Sequence, residues 1–219
     1  MSPSEIRQVG SVVVLVGVPL SLLSFSIAMW IYPGGYEFFG HFLSDLGRTN
    51  TIGGSPNPSS SLLFMIALAI IICVSLIFWV LLADLYHQYS TKTGVMVAVL
   101  ISVFAGLSAL PFLAAVALVP MDGDPSLHDL VAMIYFGLTN IALLFSSVLM
   151  ITSSVPPLKK EGTLGLLFTV LVLVILELLI PSAIVMQKFI VAGYVVWIMF
   201  VGARLFSFAR KKKEQSPTT

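Results

Sequence analysis

Charged residues are scarce in this sequence. Its 219 residues include 11 Lys and Arg and 10 Asp and Glu, or 10% of the chain, whereas soluble chains average about 25%. Because 58% of the residues are hydrophobic and the mean hydropathy is +1.05, the composition excludes a soluble domain. The formal net charge of +1 also excludes nucleic-acid binding through bulk electrostatics.

Cysteine and histidine are rare as well. Cys73 is the single cysteine, so no intrachain disulfide can form. None of the three histidines follows His128, and the sequence has no His-Glu-x-x-His pair, no Gly-x-Ser-x-Gly elbow and no phosphatase-type Lys/Arg–His set. The standard signatures of zinc proteases and serine hydrolases are therefore absent.

Six apolar runs are each long enough to span about 30 Å of hydrocarbon, which needs about 20 helical residues. They are approximately Val9–Tyr32, Ser61–Ala83, Gly94–Val119, Pro125–Thr152, Thr163–Leu179 and Ser182–Phe208. The first run continues past a small-residue site, which favours a retained helix over a cleaved signal peptide. We predict an all-α integral membrane fold, a single domain over residues 1–219 built as a six-transmembrane-helix bundle with short connections.

Basic residues are distributed unequally between the two ends of such a bundle. With six crossings only Arg48 and Lys188 fall on one side, and all other Lys and Arg fall on the opposite side. The positive-inside rule then places both termini in the cytoplasm of a cell-membrane protein, with the polar, basic tail 209–219 beside anionic headgroups.

The long loop 33–57 contains an amphipathic segment, Tyr36–Arg48. Wound as a helix, it places these polar residues on one face: Glu37, His41, Ser44, Asp45 and Arg48. Aromatic and aliphatic residues occupy the other face. We predict a short amphipathic helix in this first outer loop, with its aromatics towards lipid. Glu37, His41 and Asp45 would then face an outer cavity.

Two pairs of ligand-type residues occur at i, i+4 spacing on the predicted outer side: His41 with Asp45, and Asp124 with His128. Two imidazoles and two carboxylates could bind a divalent metal such as zinc, so these four are candidate ligands. Without a metal, a histidine oriented by a carboxylate could act as a general acid–base. Structural alternatives stay open, because Asp124 is placed to cap a helix and Asp45 could pair with Arg48.

Glu177 lies inside the fifth run, about one helical turn before Pro181. An ionisable group within a span is costly, so function is the default interpretation. The candidate catalytic residues are His41, Asp45, His128 and Glu177, and the candidate ligand-binding residues are Glu37, Ser44, Arg48, Asp122, Asp124 and Asn140. Structural roles stay open for Glu177 as a protonated or hydrogen-bonded glutamate, and for Asn140 as a contact between helices.

Two predicted outer segments carry a family resemblance. They are His41-Phe42-Leu43-Ser44-Asp45-Leu46-Gly47 with the later Pro56-Asn57-Pro58-Ser59-Ser60, and Pro120-Met121-Asp122-Gly123-Asp124-Pro125-Ser126-Leu127-His128. Together with the helix order, they resemble the prokaryotic "domain of unknown function 998" membrane proteins over almost the whole chain. Ser44-Asp45-x-Gly47 is more distantly similar to the eukaryotic Frag/DRAM/Sfk family. The resemblance implies six helices and a shared outer motif without an established activity, and the eukaryotic relatives imply a lipid ligand.

Three functions therefore stay open. Non-catalytic binding or distribution of a lipid or lipid-linked ligand at an outer polar cavity is slightly favoured, with membrane lipids as partners. The alternative is a membrane-embedded, metal-dependent hydrolase or transferase acting on lipid headgroups, and an ion or proton pathway is less favoured because Glu177 alone supports it. Convergence of His41, Asp45 and His128 would favour the enzyme. An apolar groove of acyl-chain size between helices would favour binding.

Overall fold

The computed structural model describes residues 3–89, 93–153, 158–178 and 183–214, with side chains over 5–88, 93–153, 158–173 and 184–210. Within these ranges the chain forms six α-helices and one short 3-10 helix. The α-helices are α1 (Pro3–Trp30), α2 (Pro58–Tyr89), α3 (Thr93–Leu118), α4 (Pro125–Thr152), α5 (Lys159–Leu178) and α6 (Ala183–Glu214). The 3-10 helix, Leu43–Gly47, is called the cap helix below. The predicted all-α class is confirmed.

Five of these helices are long and apolar enough to cross a membrane, namely α1, α2, α3, α4 and α6. The side chains of α5 are described only as far as residue 173, and α5 is not among the five. Large apolar side chains project outward, with Phe104 75% exposed and Met133 70% exposed. Since soluble monomers rarely expose extended apolar surface, these helices indicate an integral membrane protein.

The helices form a ring in which each packs against the next along the chain and α6 returns to α1. α2 also contacts α6 and the cap helix. Phe78 and Trp79 of α2 are fully buried, and the ring of Phe78 lies edge-on to those of Trp79 and Trp197, at 5.0 and 5.5 Å between centroids. This aromatic cluster joins α2 to α6 across the core.

Two helices begin at a proline at the same end of the bundle, which we call the cap end. Pro58 begins α2 and Pro125 begins α4, as expected for a residue whose missing N–H would have no helical partner. The carboxylate of Asp124 accepts a hydrogen bond from the backbone N–H of Leu127 at 3.0 Å, so Asp124 is confirmed as the N-cap of α4. The opposite end, which carries Lys159, is called the basic end.

The segment Tyr36–Arg48 does not form the predicted amphipathic helix. It makes a turn at residues 38–40, bends at His41 and is helical only within the cap helix. Gly34, Gly35 and Gly54 flank it with φ values of +85°, +89° and +82°, a left-handed conformation that favours glycine. The two faces expected of one continuous helix are therefore not formed.

Candidate functional site

Lys188 is a buried cation that fixes the chain before the cap helix. It lies near the start of α6 and is 6% exposed. Its ammonium donates to the carbonyls of Phe38 at 2.6 Å, Ile184 at 3.2 Å and His41. An ammonium has three N–H donors, so all three are used. The rings of Phe38 and Tyr36 lie 4.9 and 5.5 Å from Nζ. These hydrogen bonds hold the carbonyls of Phe38 and His41 in the non-helical chain that precedes the cap helix.

Asp45 is also buried, at 2% exposed, and both of its carboxylate oxygens are used. Oδ1 accepts from the guanidinium of Arg48 at 2.6 Å, and Oδ2 accepts from the backbone N–H of Phe42 at 2.6 Å. The carboxylate therefore pairs with a cation and also closes the first turn of the cap helix. The Asp45–Arg48 pair predicted as a structural alternative is confirmed.

The two candidate histidines have different surroundings. His41 is half-buried, and its ring packs against Tyr32 and Tyr36 at 5.6 and 5.4 Å between centroids. His128 is 2% exposed, and its Nδ1 lies 2.6 Å from the carbonyl oxygen of Val119 at the end of α3. A carbonyl only accepts, so Nδ1 donates. Nε2 is then an acceptor in the neutral ring, and it has no partner among the described residues.

The four candidate metal ligands are not brought together. Within the part of the chain that the structure describes, no three His, Cys, Asp or Glu side chains lie close enough to hold a metal ion jointly. His41, Asp45, Asp124 and His128 each make the separate contact given above. The prediction for Glu177 concerns a side chain outside the described residues, although its backbone belongs to α5. The catalytic roles of these residues stay predictions.

Asp122 links two loops at the cap end. It accepts from the backbone N–H and the hydroxyl of Thr49, at 3.0 and 2.6 Å, and from the backbone N–H of Asn50 at 2.9 Å. Burial raises the pKa of Asp122, but these hydrogen bonds outweigh burial and hold the pKa below its usual value. Asp122 thereby fastens the α3–α4 loop to the chain that follows the cap helix.

Two other predicted ligand-binding residues lie differently from expectation. Glu37 is exposed, whereas the amphipathic-helix prediction turned it inward. The amide of Asn140 donates to the carbonyl of Phe136 in its own helix at 2.9 Å, rather than to a neighbouring helix. Such a bond to the preceding turn is a common solution for a polar side chain within an apolar helix.

Two residues that the sequence analysis did not select as site residues hold the cap helix in place. Asn57 is fully buried and donates to the carbonyls of Leu46 at 3.0 Å and Arg48 at 3.1 Å. Gln187 accepts from the backbone N–H of Leu43 at 2.8 Å. In the sequence, Asn57 is marked only by its Pro-Asn-Pro context, and Gln187 only by the Gln-Lys pair within an apolar run.

Beneath the cap helix lies an apolar cavity of about 40 Å³. Its walls come from the cap helix, α2, α3, α4 and α6, with Ser44 and Gln187 as polar groups near the cap. A second cavity of about 10 Å³ shares Tyr135, Phe136 and Val191 with the first and continues to Tyr194. Tyr194 follows Gln187 by seven residues, or about 10 Å of helix. We call the two cavities together the α4–α6 seam.

The walls of the seam are mainly apolar. Phe64, Leu68 and Ile71 of α2 line one wall at helical spacing, and Leu113 and Val116 of α3 continue it. The polar groups along the seam are hydroxyls and amides, which can hydrogen-bond an ester or a headgroup: Ser44, Tyr135, Thr139, Asn140, Gln187 and Tyr194. Of the predicted site residues, Ser44 and Asn140 line the seam.

The comparisons add no relative. No family model matches the chain, and searches of curated proteins and of solved structures found no significant match. The resemblance to the "domain of unknown function 998" proteins therefore stays a proposal, and the function has to be argued from the geometry of the site.

Proposed function

We propose that this chain binds the hydrocarbon chain of a membrane lipid or lipid-linked ligand in the α4–α6 seam, as a non-catalytic lipid-binding or lipid-distributing protein. The apolar seam beneath the cap helix is the observation that carries the proposal. Apolar walls favour hydrocarbon over water, and within a bilayer the acyl chain is the abundant apolar ligand. Ser44 and Gln187, at the cap end of the seam, are placed to hydrogen-bond the polar part of such a ligand.

Binding on this proposal includes a local rearrangement. A cavity of about 40 Å³ holds only a short part of an acyl chain. The side chains of Leu68 and Phe136 line it, and on this proposal they change rotamer to make room for the ligand. A lipid chain therefore widens the seam by displacing these side chains, which is a common extent of change on binding.

Binding is favoured over catalysis by the contacts of the candidate catalytic residues. Both carboxylate oxygens of Asp45 are used by Arg48 and the cap helix, and Nδ1 of His128 is used by the end of α3. General acid–base catalysis needs a group within hydrogen-bonding reach of its substrate. Neither side chain lines the seam. The hydrolase or transferase alternative would need a different ligand position, next to His41.

The proposed topology has six spans, with α5 as the sixth. The packing of α5 between α4 and α6 supports this sixth crossing. The basic end carries Arg7, Lys159 and Arg204, and the positive-inside rule therefore supports a cytoplasmic position for that end and for both termini in a cell membrane. The resemblance to the "domain of unknown function 998" family implies the same six-helix arrangement.

Photo-crosslinking tests the seam directly. The purified chain is reconstituted in vesicles that contain a phospholipid with a photoactivatable acyl chain, and labelled peptides are mapped by mass spectrometry. We expect labels near Phe136 and Val191. Ala132 lines the cavity, so Ala132→Phe fills it and should reduce this labelling about tenfold, the effect of losing roughly 1.4 kcal/mol of binding.

The matched control is Ala69→Phe, which adds the same ring at an exposed position of α2 away from the seam. This variant should be labelled by the photoactivatable lipid to the same extent as the wild type. Equal labelling of the wild type and Ala132→Phe would contradict binding in the seam. Turnover of the lipid headgroup that is lost in both His41→Ala and His128→Ala would instead show an enzyme.

A further inference from the structure

A separate cavity of about 20 Å³ lies at the basic end, between α1, α2 and α6. Arg7 and Ser11 of α1 line it together with apolar side chains of α2 and α6. Arg7 and Ser11 are four residues apart and therefore project from the same face of α1. This cavity lies outside the α4–α6 seam and involves none of the residues discussed for it.

Arg7 forms an ion pair with one acid and has further N–H groups that can donate hydrogen bonds. Its Nε lies 2.5 Å from Oδ2 of Asp84, and the other carboxylate oxygen accepts from the side-chain amide of Gln88 at 2.9 Å. Both oxygens of Asp84 are thus used. A guanidinium has five N–H donors, so Arg7 can donate to a second anion at the cavity without releasing Asp84.

Ser11 is a buried polar residue at the same cavity. Its side chain is fully buried, and its hydroxyl has no hydrogen-bond partner among the described residues. Ser21, equally buried in the same helix, instead donates to the carbonyl of Val18 at 2.8 Å. A buried polar group without a partner is costly. The hydroxyl of Ser11 is therefore a donor that an acceptor atom in the cavity would satisfy.

We propose that this cavity binds a phosphate oxygen of an anionic phospholipid headgroup. The guanidinium of Arg7 and the hydroxyl of Ser11 both donate, which matches the acceptor-only oxygens of a phosphodiester. Leu81, Leu205 and Phe208 line the same cavity and provide apolar surface for the adjoining acyl chains. Free phosphate shares the oxygen chemistry but gains nothing from these apolar walls.

The charge of the surrounding surface agrees with an anionic lipid. Lys159, Lys160 and Arg210 are exposed at the basic end, and Arg204 there pairs with Glu161 at 2.8 Å. Basic residues at a membrane surface attract anionic headgroups, and the attraction falls off within a Debye length. The cavity offers a fixed position within this diffuse field.

Native mass spectrometry of the full-length protein tests the proposal. The protein is released from bilayers of phosphatidylglycerol and phosphatidylcholine, and the dissociation constant of each lipid is measured. We expect the wild type to prefer phosphatidylglycerol. Ser11→Ala and Arg7→Gln should each weaken phosphatidylglycerol binding about tenfold, the effect of one lost hydrogen bond to a charged group. Phosphatidylcholine has the same phosphodiester oxygens but no net negative charge, so it should bind the wild type more weakly and should also lose affinity in these two variants.

Ser21→Ala is the matched control, since it removes a buried hydroxyl that is already bonded within α1, and it should bind like the wild type. Ser11→Ala keeps the test valid if Arg7→Gln does not fold, because it removes a hydroxyl without a partner and should not lower the unfolding temperature. Ala132→Phe changes the seam and not this cavity, so it should bind phosphatidylglycerol here with wild-type affinity. The proposal for this cavity and the proposal for the seam can therefore be contradicted independently.

Wild-type affinity in Ser11→Ala would overturn the proposal, even if Arg7→Gln binds more weakly, because the effect would then be diffuse charge attraction. Inorganic phosphate alone is the second probe. If inorganic phosphate binds at the same concentrations as phosphatidylglycerol, the cavity is a site for free anions. That result would overturn the assignment to a lipid.

Discussion

Lys188 is a buried charge whose partners are backbone carbonyls. It donates to Phe38, His41 and Ile184, and within the described residues it forms no ion pair. Burying an ammonium is costly unless its donors are satisfied, and here three carbonyl oxygens replace its water. The same contacts satisfy the carbonyls of Phe38 and His41 in loop 33–57. The charge is therefore part of the structure of the loop.

Lys188→Met should lower the free energy of unfolding by about 2–3 kcal/mol, because the carbonyls of Phe38 and His41 lose a charged donor. Chemical unfolding in detergent measures the change, and limited proteolysis should show faster cleavage within loop 33–57. Lys159→Met, at an exposed position, is the control and should be neutral. Wild-type stability in Lys188→Met would show that the three hydrogen bonds contribute nothing net.

Asp122 predicts a dependence on pH. Its pKa is below that of the unfolded chain, where it is about 3.9. The folded state is therefore stabilised by Asp122 above about pH 4, and this contribution is lost as the pH falls through the lower, folded pKa. Asp122→Asn should unfold more easily at pH 7 by about 1 kcal/mol and lose less stability on acidification than the wild type.

Unfolding temperatures measured from pH 7 down to pH 3 check this prediction. Asp129→Asn, at an exposed position on α4, is the control and should follow the wild type. If Asp122→Asn and the wild type lose the same stability over this range, the hydrogen bonds from Thr49 and Asn50 do not control the acid sensitivity.

At the scale of elements, the contact between the cap helix and α2 depends on a glycine, which has no side chain. A Cβ atom added to Gly47 would lie 2.6 Å from Cδ1 of Phe64, which is too close for real atoms. Gly47→Ala should therefore push the cap helix away from α2 and lower the free energy of unfolding by about 1–3 kcal/mol. Because Phe64 also lines the seam, labelling by the photoactivatable lipid should change as well.

Gly137→Ala is a matched control, since a Cβ there meets no atom within 4 Å and the residue lies within α4. It should be neutral or stabilising by up to about 1 kcal/mol, the helix propensity difference. Thermal unfolding compares the two variants. Phe64→Leu should partly restore the stability of Gly47→Ala, and an equal effect of the two alanine substitutions would contradict the steric explanation.

The elements were predictable where local sequence determines them. α4 has the predicted bounds, Pro125–Thr152, because a capping aspartate, a proline and an apolar run all indicate the same start. The cap segment was not predictable. Its structure depends on Lys188, Gln187 and Asp122, which lie 150, 144 and 73 residues from their partners. Periodicity over thirteen residues contains no information about such contacts.

The candidate site likewise has a part that local sequence predicts and a part that it does not. The pairing of Asp45 with Arg48 follows from their spacing on one turn. The apolar seam does not, because its walls come from the cap helix and four α-helices, and only their packing brings Phe64, Ala132 and Val191 to one cavity. The sequence therefore pointed to polar residues at the cap end, whereas the observed cavity is mainly apolar.

At the scale of the whole molecule, the proposed topology predicts which loops face outward. In a Cys73→Ala background, Ser55→Cys places a thiol at an exposed position after the cap helix. A membrane-impermeant maleimide should label it from outside intact cells, while a cysteine at exposed Lys160 should react only after lysis. Because α2, α3 and α4 lie between the two positions, labelling of both from the same side would contradict three crossings there, and the reversed pattern would invert the orientation.

The long-range anchors of the cap helix also bear on biosynthesis. A ribosome delivers the chain from the N-terminus, so Leu43 enters the membrane long before Gln187, its partner 144 residues later, has been made. Insertion of α1 to α4 can proceed with the loop unfixed, but the loop cannot take its final shape until α6 arrives. A chain stopped before Gln187 should keep its early spans and leave the loop sensitive to protease. The folded loop is thus a marker that the last helix has been inserted and packed.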